Sequence, residues 1–154
     1  MSAARLAIVG GGQLGQMLAL AAIPLGIPCA VLDPAAEAPA RLAAQHVQAA
    51  YDDPAALAAL ADGATVATYE FEHLPIAAIR ALAGRVTVSP SADALEIVQD
   101  RIRQKEFLDA HRVPIAPWAP IRNAAECAAA ASRIGAPGVL KTARDGYDGK
   151  GQRV

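Results

Sequence analysis

The chain opens on a short apolar run, Arg5–Val9, that ends in glycines, the pattern of a buried strand feeding a turn. Gln13–Leu25 then carries Leu14, Met17, Leu18 and Leu20 among strong helix formers, and Gly26 stops it. Cys29–Leu32 is a second apolar run, closed by Asp33-Pro34. Together these predict a β-loop-α-β unit of about 30 residues. Strand signals recur at His46–Ala50, Ala64–Thr68 and Val86–Val88. Helix signals lie between them at Ala38–Ala44, Pro54–Ala61 and Pro75–Ala83. Such alternation predicts an α/β fold with a mostly parallel sheet covered on both faces.

The pattern changes after Ser89-Pro90. Ala92–Ala110 is one long helical stretch with a break near Gln99-Asp100, and Pro114, Pro117 and Pro120 then mark an extended linker. Asn123–Ile134 is predicted as a helix capped by Asn123. Gly138–Lys141 is predicted as a strand, Thr142–Gln152 as a polar, glycine-rich loop, and a further strand starts near Val154. A terminal hairpin with no third strand is marginal. The expectation is therefore a first domain over residues 1–89 and a truncated second domain over 90–154.

Composition narrows the function. The 154 residues are 54% hydrophobic and 19% charged, enough to bury a core and too apolar for a disordered chain. The net charge of −1 and 4% aromatic content argue against a general nucleic-acid binder, which needs a basic excess or stacking platforms. Cys29 and Cys127 are too few for a disulfide scaffold and have the apolar neighbours of small core residues. No charge occurs from Leu6 to Leu32, but glycines, prolines and two glutamines break that stretch, so no membrane span or signal peptide is expected. A cytoplasmic protein follows as the expectation.

Four segments carry candidate chemistry. Gly10-Gly11-Gly12-Gln13-Leu14-Gly15 satisfies G-x-G-x-x-G between a strand and a helix, where backbone amides can meet phosphate. Asp33, at the end of the second strand, stands where a ribose-binding acid would. On this motif alone the choice lies between a dinucleotide site and a plain tight turn. Tyr69-Glu70-Phe71-Glu72 follows a strand, with both carboxylates on one face of an extended chain, where ligands of open α/β sheets bind. Arg101 and Lys105 share a helical face and offer paired cations. Lys141 ends a strand before Arg144-Asp145-Gly146-Tyr147-Asp148-Gly149-Lys150-Gly151-Gln152, whose glycine amides can wrap phosphate oxygens while Lys141 and Lys150 neutralise charge. That loop is not a Walker sequence, and a hairpin turn at Asp148-Gly149 is the plainer alternative.

In order along the whole chain, these segments resemble the N5-carboxyaminoimidazole ribonucleotide synthase family of the ATP-grasp superfamily. The most specific string is Gly146-Tyr147-Asp148-Gly149-Lys150-Gly151-Gln152, and the leading glycine motif is the least specific. The resemblance implies a Rossmann-like preATP-grasp domain followed by the start of an ATP-grasp domain. It implies a purine-biosynthesis ligase that joins ATP, bicarbonate and 5-aminoimidazole ribonucleotide through carboxyphosphate, with magnesium held by residues outside this sequence and a homodimeric full-length enzyme. This fragment alone would be inactive. By carry-over, ATP is bound by Arg101, Lys141, Gly146, Tyr147, Asp148, Gly149, Lys150, Gly151 and Gln152. Of these, Lys141, Tyr147, Asp148 and Lys150 would serve catalysis. Gly12, Gln13, Leu14, Gly15, Glu70 and Glu72 would lie on the ribonucleotide side. No metal ligand is assigned.

Family loops carry a basic residue at Ala143 and a glycine at Asp145, so Asp145 places a negative charge beside the phosphate loop unless it turns to solvent or pairs with Arg144. Under this resemblance Asp33 touches no phosphate, and its loss would act through stability with a surface-type effect. An NAD-dependent oxidoreductase fragment and a non-catalytic nucleotide-binding module remain the alternatives.

Overall fold

The computed structural model describes residues 4–135, 137–146 and 150–154. They form two compact units, one ending at Leu95 and the other beginning at Glu96. The first is built on four parallel strands, β1 (Leu6–Val9), β2 (Cys29–Leu32), β3 (Gln45–Val47) and β4 (Val66–Tyr69), in the order β3-β2-β1-β4. β1 is central, with Ile8 opposite Val31 on one side and Thr68 on the other. Strand order thus reverses at β1, which places the loops after β1 and β4 side by side at the carboxyl edge of the sheet.

Both faces of β1 are buried, but they are packed differently. Ala7 and Val9 face a core with Leu32, Leu57, Leu60, Ile79, Leu82 and Leu95, supplied mainly by α2 (Pro54–Ala61) and α3 (Ile76–Ala83). Each fully buried leucine or isoleucine there contributes about 1.5–3 kcal/mol. α2 begins on a well-made cap: Asp53 Oδ1 accepts from the amides of Ala55 and Ala56 at 2.8 and 2.9 Å, and Pro54 takes the first helical position.

Ile8 and Val31 face α1 (Gln13–Ala22), which buries only Gly15, Ala19 and Ala22. The large apolar residues that marked this helix in the sequence, Leu14, Met17, Leu18 and Leu20, are exposed. Small residues on the inner face let the helix approach the sheet closely. A Cβ on Gly15 would stand 2.4 Å from the Gly10 carbonyl oxygen.

Several sequence boundaries shift for local reasons. The helix expected to Leu25 tightens to a 3-10 turn over Ile23–Leu25 and stops at Gly26 in the left-handed conformation. The helix expected over Ala38–Ala44 is a 3-10 turn, Pro39–Leu42. The strand expected at Val86–Val88 makes a single parallel bridge, Val88 to Ala67, before Pro90 removes the next donor.

The long helix after Pro90 is two helices, α4 (Ala92–Val98) and α5 (Arg101–Ala110), divided at Gln99-Asp100 as the sequence suggests. α6 (Glu126–Ile134) starts later than expected. Asn123 precedes it in a turn, exchanging hydrogen bonds with Glu126. β5 (Leu140–Lys141) and β6 (Gln152–Arg153) form an antiparallel pair. No described helix is long and apolar enough to cross a membrane.

Candidate functional site

The first site lies at the carboxyl edge of the parallel sheet. β1 runs into Gly10, whose φ of +101° suits glycine, and the chain then enters α1 through Gly11 and Gly12. α1 has no capping side chain of its own. Its first amides go instead to Glu70, just beyond β4. Glu70 Oε1 accepts from Gly12 N at 2.8 Å, and Oε2 accepts from Gly15 N at 2.5 Å. The carboxylate sits where a phosphate would sit on a helix N-terminus, and the positive end of the helix dipole holds it there.

Asp33 completes the turn from the other side. Its carboxylate is buried, and its Oδ2 accepts from Gly11 N at 2.7 Å and from the Tyr51 hydroxyl at 2.8 Å. Oδ1 accepts from Ala35 N at 2.8 Å. Burial pushes the Tyr51 phenol well above its usual range, and the hydrogen bond and charge of Asp33 and the charge of Glu70 add to it. Three amides of the glycine turn are therefore already bonded to protein carboxylates. A dinucleotide pyrophosphate would have to expel Glu70 against like-charge repulsion, and a ribose would find Asp33 already engaged. The oxidoreductase alternative has no phosphate seat here.

Of the residues expected on the ribonucleotide side, Gly12, Gly15 and Glu70 are brought together. Gln13 and Leu14 are exposed on the first turn of α1. Glu72 does not join Glu70. It is exposed and pairs with His73 at 3.5 Å, because the chain leaves extended conformation after Tyr69 and the shared face of the tetrapeptide is lost.

The second site is the β5–β6 hairpin. Lys141 stands directly opposite Gln152, so two residues assigned to ATP from opposite ends of the loop become a cross-strand pair. Thr142 N donates to the Gly151 carbonyl at 2.9 Å. The Thr142 side chain fills the space that Gly146 and Gly151 leave, since a Cβ on either would lie 2.7 Å from its Oγ1. Arg101 holds the same loop: its amide donates to the Ala143 carbonyl at 2.8 Å, and its Nη2 donates to the Gly146 carbonyl at 2.7 Å. Lys141, Lys150 and Gln152 are exposed. Tyr147, Asp148 and Gly149 lie outside the described residues.

Asp100 caps α5, its Oδ1 accepting from the amides of Ile102 and Arg103. Its Oδ2 takes the Arg144 guanidinium at 3.2 Å. Burial alone would raise the Asp100 carboxyl, but the Arg103 and Ile102 amides and then Arg144 outweigh it, and the net shift is downward. Arg144 thus turns to Asp100, while Asp145 is exposed with a φ of +60°. The sequence pattern marks Asp33 only as a ribose-binding acid, gives Asp100, Thr142 and Arg144 no role of their own, and does not single out Tyr51. Asp100 was findable, since an aspartate directly before a helix signals a cap. Nothing local marked Tyr51.

Among the described residues, no three of His, Cys, Asp and Glu come together to hold a metal ion.

A four-stranded parallel sheet whose order reverses at a glycine turn places the first unit in the Rossmann-like class. The chain belongs to the ribonucleotide synthetase preATP-grasp domain family, which residues 3–99 match, and residues 106–154 match the ATP-grasp domain. It is 47% identical over 148 residues to the N5-carboxyaminoimidazole ribonucleotide synthase of Brucella melitensis, covering 96% of this chain and 41% of that protein. The crystal structure of N5-carboxyaminoimidazole ribonucleotide synthetase from Thermus thermophilus is 42% identical with a TM-score of 0.85, over 96% of this chain and 39% of that one. N5-carboxyaminoimidazole synthase from Aspergillus clavatus, in complex with ADP and 5-aminoimidazole ribonucleotide, is 31% identical with a TM-score of 0.81, over 99% and 40%. The chain therefore spans about two fifths of the length of these proteins.

Proposed function

We propose that this chain is the N-terminal portion of an ATP-dependent ligase that carboxylates 5-aminoimidazole ribonucleotide on its exocyclic amine. The observation that carries this is similarity to N5-carboxyaminoimidazole ribonucleotide synthase through both units, at 47% identity over 96% of the chain. Residues 1–89 serve as the preATP-grasp domain and 90–154 as the start of the ATP-grasp domain, a division that falls six residues before the end of the first compact unit at Leu95. The full-length enzyme is a cytoplasmic homodimer that uses magnesium with ATP.

In the reaction proposed, a bicarbonate oxygen attacks the γ-phosphorus of ATP and ADP leaves, giving carboxyphosphate. The ribonucleotide amine then takes the carboxyl group, and the bridging oxygen departs with phosphate. The work of this chain is to bind and shield. Arg101 and Lys141 place positive charge on the ATP phosphates, and the loop from Gly146 to Gln152 covers them. Lys141, Tyr147, Asp148 and Lys150 are assigned to catalysis of the transfer. Charge placed where it develops in a water-poor site is the largest contribution a protein makes to such a step, and excluding water protects the labile anhydride. Gly12, Gln13, Leu14, Gly15, Glu70 and Glu72 form the ribonucleotide side. Glu70, negative and fixed by two amides, suits an amine-bearing substrate better than a second phosphate.

The experiment is oxygen tracing with the chain carried to the full length of its relatives. With ¹⁸O-labelled bicarbonate, ATP, magnesium and 5-aminoimidazole ribonucleotide, the phosphate released should carry one ¹⁸O. Phosphate free of label would exclude the carboxyphosphate route.

A further inference from the structure

We propose that Asp100 is a positioning residue for the nucleotide-phosphate loop, fixing its root by joining the first turn of α5 to Arg144 through one carboxylate. This rests on the assignment of the β5–β6 loop to ATP.

The geometry divides the carboxylate between two tasks. Oδ1 takes the Ile102 and Arg103 amides at 3.0 and 3.3 Å, which fixes the carboxylate relative to the helix axis. Oδ2 is left to face the loop, where Arg144 Nε and Nη2 both reach it at 3.2 Å. The next residue, Arg101, grips the same segment by its amide on Ala143 and its guanidinium on Gly146. Two adjacent residues at the start of α5 thus hold residues 143, 144 and 146.

An isolated surface ion pair contributes little to stability. This pair differs in what it connects. The Asp100 side chain is only 17% exposed and cannot swing away without giving up the helix cap. Arg144 is therefore tied to a rigid point, and the chain that leaves it starts toward the phosphate loop from a set place. Ordering the loop root before nucleotide arrives removes a cost that binding would otherwise bear.

The test uses Asp100→Asn and Arg144→Met in the full-length chain. Asparagine still caps α5 but loses the ion pair, and methionine removes the pair from the other side with the cap untouched. Each variant should raise the KM for ATP about three- to tenfold, with kcat within about twofold and the KM for 5-aminoimidazole ribonucleotide unchanged. The double variant should be no worse than the poorer single one. In the full-length chain, amide exchange should quicken at residues 142–146 in both variants and stay unchanged in α5.

Lys141→Ala in the same kinetic assay separates the two failures. If it raises the KM for ATP while Asp100→Asn and Arg144→Met do not, the positioning role is wrong and the nucleotide site stands. If Lys141→Ala leaves ATP use intact, the nucleotide assignment falls and this role falls with it. Unchanged exchange at 142–146 would also overturn the positioning role.

Discussion

Glu70 lies 58 residues beyond Gly12 in sequence, yet it caps the helix that Gly12 begins. A glycine turn of this kind usually keeps its amides for a ligand phosphate. Here the protein supplies the anion itself, and that changes what the turn can recognise.

Glu70→Ala should destabilise the chain by about 1–3 kcal/mol, because it strands the Gly12 and Gly15 amides at a partly buried helix start. Glu70→Gln should cost less, since the amide oxygen can still accept. Urea unfolding of the purified chain measures both. Equal stability of Glu70→Ala and the parent would show that the remote cap adds nothing.

The same arrangement predicts that the chain does not bind NAD. Isothermal titration should give no saturable heat. Saturable micromolar binding that disappears in Asp33→Ala would restore the oxidoreductase alternative.

Asp33→Ala should be far from a surface-type change. It removes the acceptor for Gly11, Ala35 and Tyr51 from a buried position, which sets the loss at about 2–4 kcal/mol. Tyr51→Phe, which gives up one hydrogen bond of the set, should cost about 1 kcal/mol. Thermal or urea unfolding checks both, and a loss within about 0.5–1 kcal/mol for Asp33→Ala would favour the sequence expectation.

Acid should erase the contribution of Asp100. Its carboxyl is held below the ordinary aspartate value of about 3.9, so it binds fewer protons folded than unfolded. The stabilisation is fully present above that ordinary value and is lost as pH falls through the lowered one. The gap in melting temperature between the parent chain and Asp100→Asn should be constant near neutrality and close in strong acid. A gap that widens in acid would contradict the downward shift.

β1 and β2 were legible because a parallel strand buried on both faces is a short apolar run, and glycine ends the first and Asp-Pro the second. α2 was legible from Pro54 to Ala61, and the division of α4 from α5 from Gln99-Asp100. What failed depends on partners distant in sequence. Leu14, Met17, Leu18 and Leu20 marked α1 as a helix, but its inner face is Gly15, Ala19 and Ala22, which only the packing against the sheet reveals. Alternation put Glu70 and Glu72 together, whereas the chain turns after Tyr69 and only Glu70 meets the glycine amides. Asp33 was visible as an acid at a strand end, but its engagement by Tyr51 follows from the fold of the β2–β3 region. In the second unit the loop itself was conspicuous, while Thr142 gained meaning only once Gly146 and Gly151 closed around it.

The most direct measurement is ADP release by the full-length chain, with and without each cosubstrate, beside its Lys141→Ala variant. ADP should form only when bicarbonate and 5-aminoimidazole ribonucleotide are both present. Lys141→Ala should raise the KM for ATP and lower kcat, a loss of about 2–4 kcal/mol in transition-state stabilisation. ADP release indifferent to either cosubstrate, or a Lys141→Ala variant with unchanged kcat/KM for ATP, would contradict the account.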